Sequence, residues 1–140
     1  MNYPKGFVLG RFQPIHKGHQ YLIDRALEQC DEVVIGIGSA NVQDEKNPFS
    51  FEQRLQQIQR ILSEKKYRGR TVSIVAVDDD PDDAVWLKVL IKKTGKIDVV
   101  FGNNEWPNGI FEKAGYKVIR VPLYKRHIYE GTKIRKRLGI

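Results

Sequence analysis

The chain has 140 residues, of which 41% are hydrophobic and 10% are aromatic. This length corresponds to one domain, and the composition supplies a hydrophobic core and excludes an intrinsically disordered protein. The apolar runs have the length of strands and the N-terminus lacks a signal-peptide pattern, so we expect neither a membrane span nor secretion. A single cysteine, Cys30, excludes an internal disulfide, and we expect a soluble cytoplasmic protein.

The net charge of +7 favours a polyanionic partner, a class that includes nucleic acids, anionic membrane surfaces and nucleotide phosphates. Basic residues crowd together at positions 125–137, whereas acidic residues cluster at positions 78–83. The positive charge is therefore local, as a phosphate-binding site requires. A nucleic-acid-binding patch would have the same distribution.

Short apolar runs alternate with helical patterns along the chain. Strands are predicted at residues 7–9, 33–38, 71–77, 97–101 and 118–121. Helices are predicted at residues 18–29, after a capping box of Ser50 and Gln53, after Asp80 as N-cap with Pro81 at the first helical position, near residues 110–113, and from about Thr132. This alternation predicts a single domain, residues 1–140, with a Rossmann-like α/β fold: a parallel sheet of about five strands with helices on both faces. Ligands of such folds bind beyond the carboxyl ends of the strands.

The first predicted strand ends in the segment GRFQPIHKGH, residues 10–19. A glycine at this point lets a ligand approach the backbone, and the N-terminus of the following helix attracts phosphate. The segment matches neither the Walker A loop nor the GxGxxG fingerprint. His16 and His19 lie on one helical face, and both can donate hydrogen bonds to phosphate oxygens. Two other interpretations stay open: ordinary turn and cap residues, or a zinc site, for which the sequence offers no obvious further ligands.

Residues 10–19 closely resemble the (H/T)xGH signature of the nucleotidyltransferase superfamily. Three further stretches resemble archaeal-type nicotinamide-mononucleotide adenylyltransferases: GSA at 38–40, NPFSFEQR at 47–54 and YEGTKIR at 129–135. Trp86 and the pair Gly102-Asn103 also match positions of that family, so the resemblance covers nearly the whole chain. One departure is Lys46-Asn47, where the family usually has arginine. Lysine keeps the positive charge but lacks the bidentate guanidinium.

The resemblance implies a role for each motif residue. The implied catalytic residues, which contact the phosphates, are His16, His19, Arg11 and Arg135. The implied ATP-binding residues are Gly10, Phe12, Gly18, Gly102, Asn103 and Thr132. The implied acceptor-binding residues are Ser39, Lys46, Asn47 and Trp86, the last by stacking on the nicotinamide ring. Arg54 is either a structural ion pair or a phosphate contact, and no residue is expected to bind a metal directly.

The reaction that the resemblance implies transfers AMP from ATP to nicotinamide mononucleotide (NMN), giving NAD and pyrophosphate, with Mg²⁺ carried by ATP. We expect ATP and NMN as partners, a homo-oligomer, and neither a membrane nor a nucleic acid. One alternative keeps the superfamily but changes the acceptor to pantetheine phosphate, FMN or glycerol phosphate, with ATP or CTP as donor. A second alternative is a non-catalytic protein that binds nucleotides or nucleic acid.

Overall fold

A parallel sheet of five strands forms the centre of the fold. The structure, a computed structural model, describes residues 3–122. The strands are β1 (Tyr3–Gly10), β2 (Cys30–Ile37), β3 (Thr71–Ala76), β4 (Val99–Gly102) and β5 (Val118–Arg120). The helices are α1 (Lys17–Gln29), α2 (Phe51–Leu62), α3 (Asp83–Thr94) and α4 (Glu105–Lys113), with a 3₁₀ turn at Lys65–Tyr67. Each predicted strand overlaps one of these strands, which confirms the predicted α/β fold.

Helices cover both faces of the sheet because side chains alternate between the two faces along each strand. On β1, Val8 belongs to the core that includes Ile23 of α1. Its neighbour Phe7 belongs to the opposite core, with Leu90 of α3 and Phe111 of α4. All five side chains are at most 1% exposed. Burial on both faces explains why the central strands are continuous apolar runs in the sequence.

The chain changes direction across the sheet between β1 and β4. From β1 it proceeds outward through β2 and β3, and from β4 it proceeds outward through β5 on the other side, so the strand order is β3-β2-β1-β4-β5. At such a switch point the two connections leave on opposite faces and open a crevice at the carboxyl ends of the strands. Helices α1 and α4 follow β1 and β4 directly, so the positive ends of both helix dipoles lie at this crevice.

Helix α3 begins at another residue than predicted. Its N-cap is Asp82, whose carboxylate accepts the N–H groups of Ala84 and Val85. The carboxylate of Asp80 instead accepts the N–H of Asp82 at 2.8 Å, which makes a local turn and leaves Pro81 before the helix. An aspartate side chain can form either a turn or a helix cap. Here Asp82 forms the cap and Asp80 the turn, so α3 begins later than predicted.

Helix α4 begins at Glu105, earlier than the predicted start near residue 110. Asn104 accepts the N–H of Trp106 and caps the helix. Pro107 lies in the first turn, where its missing N–H costs no helical hydrogen bond. The proline and Gly109 interrupt the helical pattern of the sequence, which explains the late prediction.

The predicted helix from Thr132 lies outside the described residues, as do Thr132 and Arg135 themselves. By contrast, the predicted capping box of Ser50 and Gln53 is confirmed at the start of α2, with both of its hydrogen bonds present. Within residues 3–122, none of the helices is long and apolar enough to cross a membrane.

Candidate active site

His16 and His19 form the capping box of α1 at the crevice. His16 is the N-cap residue, and its Nδ1 accepts the N–H of Gly18 at 3.0 Å. The Nδ1 of His19 accepts the backbone N–H of His16 at 3.2 Å and completes the box. These two bonds are more often made by serine or threonine together with glutamate or glutamine. The interpretation of the histidines as cap residues is thus confirmed, and the caps fix both rings at the start of the helix.

The two caps also determine which ring nitrogen of each histidine carries the proton. A neutral imidazole has one N–H, and a nitrogen that accepts a hydrogen bond does not hold that proton. Because both Nδ1 atoms accept, the hydrogen-bond pattern assigns the protons to Nε2 of both rings. The ring centroids are 3.9 Å apart, so two Nε2–H donors belong to adjacent rings.

Burial keeps both histidines neutral near pH 7. It lowers the pKa of His16 from 6.5 to about 4. The pKa of His19 lies well below 6.5, first because of burial and then because of the charge that a protonated His16 would place beside it. Two neutral donors can bind phosphate oxygens without the cost of burying imidazolium ions.

Phe12 supports the histidine pair from the loop after β1. Its backbone has a φ of 53°, a left-handed conformation that is uncommon for a bulky residue. Its side chain is 1% exposed, and the centroid of its ring is 4.6 Å from that of His19. Gly10 leaves space for this ring, because a Cβ atom there would lie 2.9 Å from Cζ of Phe12. The two predicted ATP ligands Gly10 and Phe12 therefore shape the loop that holds His19.

Gln13 joins the loop after β1 to the loop after β2, and sequence reasoning missed it. Its Nε2 donates to the carbonyl of Phe49 at 3.0 Å, and its Oε1 accepts the N–H of Phe49 at 2.9 Å. The side chain is 5% exposed. A polar residue in a loop gives no periodic signal, and only its place inside the motif of residues 10–19 could have indicated a role.

Arg54 is buried behind the rim of the crevice and donates to four backbone carbonyls. Its Nε donates to Ser50 at 3.1 Å, its Nη1 to Arg11 at 3.1 Å and to Gly38 at 2.8 Å, and its Nη2 to Ser39 at 3.2 Å. The side chain is 0% exposed, and it forms no salt bridge with any residue that the structure describes. Neither predicted role, ion pair or phosphate contact, describes these bonds.

Arg11 and Asn47 meet at the rim of the crevice. The exposed side chain of Arg11 places Nη1 at 3.5 Å from Oδ1 of Asn47. Asn47 is 7% exposed, and its Nδ2 donates to Asp44 at 3.1 Å. The exposed residue Lys46 donates its backbone N–H to the same carboxylate at 2.9 Å. Asp44 thus fixes the loop that brings Asn47 to Arg11.

Ser39 links the ends of β2 and β3. Its φ is 50°, and its Oγ donates to Oδ1 of Asp79 at 2.7 Å. The backbone N–H of Asp79 in turn donates to Oδ1 of Asn41 at 2.9 Å. The hydroxyl of this predicted acceptor-binding residue is therefore engaged by a carboxylate of the protein.

Trp86, predicted to stack on the acceptor, lies in the core that α3 and α4 form with the sheet. It is 4% exposed, and its ring centroid is 5.8 Å from those of Phe111 and Trp106. Gly102 ends β4, and a Cβ atom there would lie 2.2 Å from Oδ1 of the buried Asn108. Asn103 follows as an exposed residue at the crevice.

The chain is similar in sequence and in fold to known proteins. The cytidylyltransferase-like family matches residues 7–137. The chain is 36% identical over 135 residues to the nicotinamide-nucleotide adenylyltransferase of Thermococcus sibiricus, spanning 96% of this chain and 73% of that protein. It is 38% identical over 135 residues to the protein of the same name from Methanolobus tindarius, spanning 96% of this chain and 76% of that protein.

A solved structure agrees with these relatives. The bifunctional NMN adenylyltransferase/ADP ribose pyrophosphatase of Francisella tularensis, complexed with AMP and a manganese ion, matches with a TM-score of 0.76 and 32% identity. The match covers 99% of this chain and 42% of that one, so this chain spans less than half of the bifunctional protein. The chain belongs to the cytidylyltransferase-like family and, within it, to the nicotinamide-nucleotide adenylyltransferases.

Proposed function

We propose that the chain transfers AMP from ATP to NMN, forming NAD and releasing pyrophosphate. The observation that carries the proposal is the similarity to proteins of that name, at 36% and 38% identity over 135 residues. The geometry supports it, because Arg11 and His16 in the loop after β1, and His19 in the first turn of α1, lie at the crevice where such sheets bind ligands.

The proposed reaction is a single in-line displacement at the α-phosphorus of ATP. An oxygen of the NMN 5′-phosphate forms a new P–O bond to the α-phosphorus, and the bond to the bridging oxygen of the β-phosphate breaks. Pyrophosphate leaves with the electron pair of that bond. No covalent enzyme intermediate is required, so the task of the protein is to position both substrates and stabilise negative charge.

The neutral histidines would supply hydrogen-bond donors where this charge develops. Their Nδ1 atoms are engaged in the capping box, so the donors that we propose for the phosphates are the Nε2–H groups of His16 and His19. The exposed guanidinium of Arg11 would add a positive charge at the same rim. Thr132 and Arg135 stay predicted contacts of the β- and γ-phosphates.

The acceptor site stays a prediction built on Ser39, Lys46, Asn47 and Trp86. The contact between Arg11 and Asn47 supports a place for the acceptor phosphate on this rim. Trp86 is 4% exposed, so a nicotinamide ring would reach only the small accessible part of its side chain.

Magnesium is proposed as part of the nucleotide substrate, where it neutralises and orients the triphosphate. Among residues 3–122, no group of three or more histidine, cysteine, aspartate and glutamate side chains could hold a metal ion. We propose that the metal binds through the phosphates of the nucleotide. The manganese ion named with AMP in the Francisella structure supports the use of a divalent cation.

Pyrophosphate release with Mg²⁺ and ATP tests the proposal across NMN, nicotinate mononucleotide, pantetheine phosphate, FMN and glycerol phosphate. Release with NMN, and NAD as the product, is expected. Release with only another acceptor would replace the proposed substrate and keep the mechanism. If no acceptor gives pyrophosphate release, with either ATP or CTP as donor, catalysis by this chain is contradicted. The homo-oligomer and the cytoplasmic location stay predictions beside this function.

A further inference from the structure

Arg54 connects the carboxyl ends of two strands from inside the protein. Its guanidinium bonds the carbonyl of Arg11, which follows β1, and the carbonyls of Gly38 and Ser39, which follow β2. Among residues 3–122, Arg54 forms no salt bridge, although the charge of Asp79 acts on its guanidinium. Burying such a cation is costly, and the carbonyl hydrogen bonds offset part of that cost. The role of Arg54 therefore concerns the backbone segments that its guanidinium binds.

Two of those segments have an unfavourable backbone conformation. Phe12 and Ser39 both have positive φ values, 53° and 50°. Such residues keep this conformation only when the surrounding structure holds them in place. Arg54 bonds the carbonyl that immediately precedes Phe12 and the carbonyl of Ser39 itself. It thus supports both positive-φ residues with a single side chain.

A chain of contacts leads from Arg54 to the histidine pair. The peptide between Arg11 and Phe12 sets the direction of the Phe12 ring, and that ring lies 4.6 Å from the ring of His19. His19 lies 3.9 Å from the ring of His16 and accepts its backbone N–H. A shift of the peptide would therefore move the two Nε2–H donors.

We infer that Arg54 is a positioning residue for the phosphate-binding histidines, acting through the carbonyl of Arg11 and the ring of Phe12. Its own side chain has no exposure to substrate. The catalytic part of the inference rests on the proposed adenylyl transfer, whereas the positioning part concerns the free protein. Lysine cannot replace arginine here, because an ammonium group lacks the planar fork that reaches carbonyls on separate segments.

The variant Arg54→Lys tests the inference, with Arg60→Lys on the exposed side of the same helix as the matched control. Thermal unfolding is measured first, so that kinetics are compared only on folded protein. Because misplacing a reacting group by about 1 Å can cost about 100-fold, we expect kcat of Arg54→Lys to fall about 10- to 100-fold. KM for ATP and NMN should change much less than kcat. Folded Arg54→Lys with the kcat of the control would overturn the inference.

A spectroscopic measurement separates this inference from the proposed function. Long-range ¹H–¹⁵N spectra of the imidazoles report the tautomer and surroundings of His16 and His19 without any substrate. We expect Arg54→Lys to shift these signals and Arg60→Lys to leave them in place. Unshifted signals in folded Arg54→Lys would contradict the positioning role. Shifted signals in a protein whose wild type turns over no acceptor would uphold positioning and reject the proposed function.

Phe12→Leu provides the second variant if Arg54→Lys does not fold. It leaves the backbone carbonyl that Arg54 bonds in place and removes the ring between that peptide and His19. The histidine signals and kcat should both change. If neither changes in folded Phe12→Leu, the path through Phe12 is wrong.

Discussion

In the proposed site, each histidine of the pair uses one ring nitrogen to cap the helix and the other to bind phosphate. Nδ1 of His16 and of His19 completes the cap of α1, and the proton on Nε2 of each ring then serves the proposed phosphate contact. The same bonds that start the helix therefore hold the donors in one tautomer. A residue that only capped the helix would need no second nitrogen.

Serine in place of His16 separates the two roles. Serine is a good N-cap, so His16→Ser should retain the stability of α1 while it loses the Nε2–H donor. We expect turnover to fall about 10²- to 10³-fold, as for removal of one transition-state donor. His16→Ala, which loses both functions, should be about 1 kcal/mol less stable than His16→Ser. Urea unfolding and pyrophosphate release measure the two effects, and unchanged turnover in His16→Ser would show that the donor is unnecessary.

The lowered histidine pKa values predict how stability depends on pH. The unfolded chain binds a proton at His16 below about pH 6.5, whereas the folded protein resists protonation down to about pH 4. Protons then favour unfolding, so stability should fall as the pH decreases through this window and the His16 contribution should level off below it. His19 acts in the same direction. Urea unfolding from pH 7 to pH 4 should show a flatter dependence in the His16→Gln/His19→Gln variant, and equal slopes would contradict these pKa values.

At the scale of elements, the glycine at position 36 leaves space for a side chain of the neighbouring strand β1. A Cβ atom at Gly36 on β2 would lie 2.6 Å from Cζ of Phe7, inside the buried core. At Gly109 in α4 a Cβ atom would meet nothing within 4 Å. Packing therefore requires a glycine at position 36, whereas nothing in the described surroundings of Gly109 requires a glycine there.

Alanine at these two positions should have opposite effects. Gly36→Ala overpacks the core and should destabilise the protein by about 1–3 kcal/mol. Gly109→Ala, the matched control, should be neutral or stabilise by up to about 1 kcal/mol, because glycine is a poor helix former. Chemical unfolding measures both, and a Gly36→Ala protein as stable as the wild type would show that Phe7 can move aside.

The sequence predicts elements well where apolar residues form periodic patterns. The central strands are buried on both faces and stand out as apolar runs, and the capping box of α2 follows from Ser50 and Gln53. Gln13 and Arg54 could not be predicted in their actual roles, because burial of a polar side chain depends on which backbone carbonyls and N–H groups the fold brings together. The motif of residues 10–19 located the candidate site, but the side-chain bonds that hold it required the structure.

At the scale of the whole molecule, the cation should arrive with the nucleotide. Because the proposed place of the metal is the triphosphate of ATP, EDTA should abolish pyrophosphate release while the thermal unfolding midpoint of the free protein stays the same. Added Mg²⁺ or Mn²⁺ should restore release. A lower unfolding midpoint in EDTA would reveal a metal bound to the free protein and contradict the proposal that the metal binds with the nucleotide.

The most direct test of adenylyl transfer at the histidine pair is to measure NAD formation from ATP and NMN by chromatography, for the wild type and for His19→Ala. Loss of the Nε2–H donor removes a contact that strengthens in the transition state, so kcat should fall about 10²- to 10³-fold with smaller changes in KM. The wild type should form NAD and pyrophosphate in equal amounts. Near-wild-type turnover by folded His19→Ala would contradict the assignment of this site.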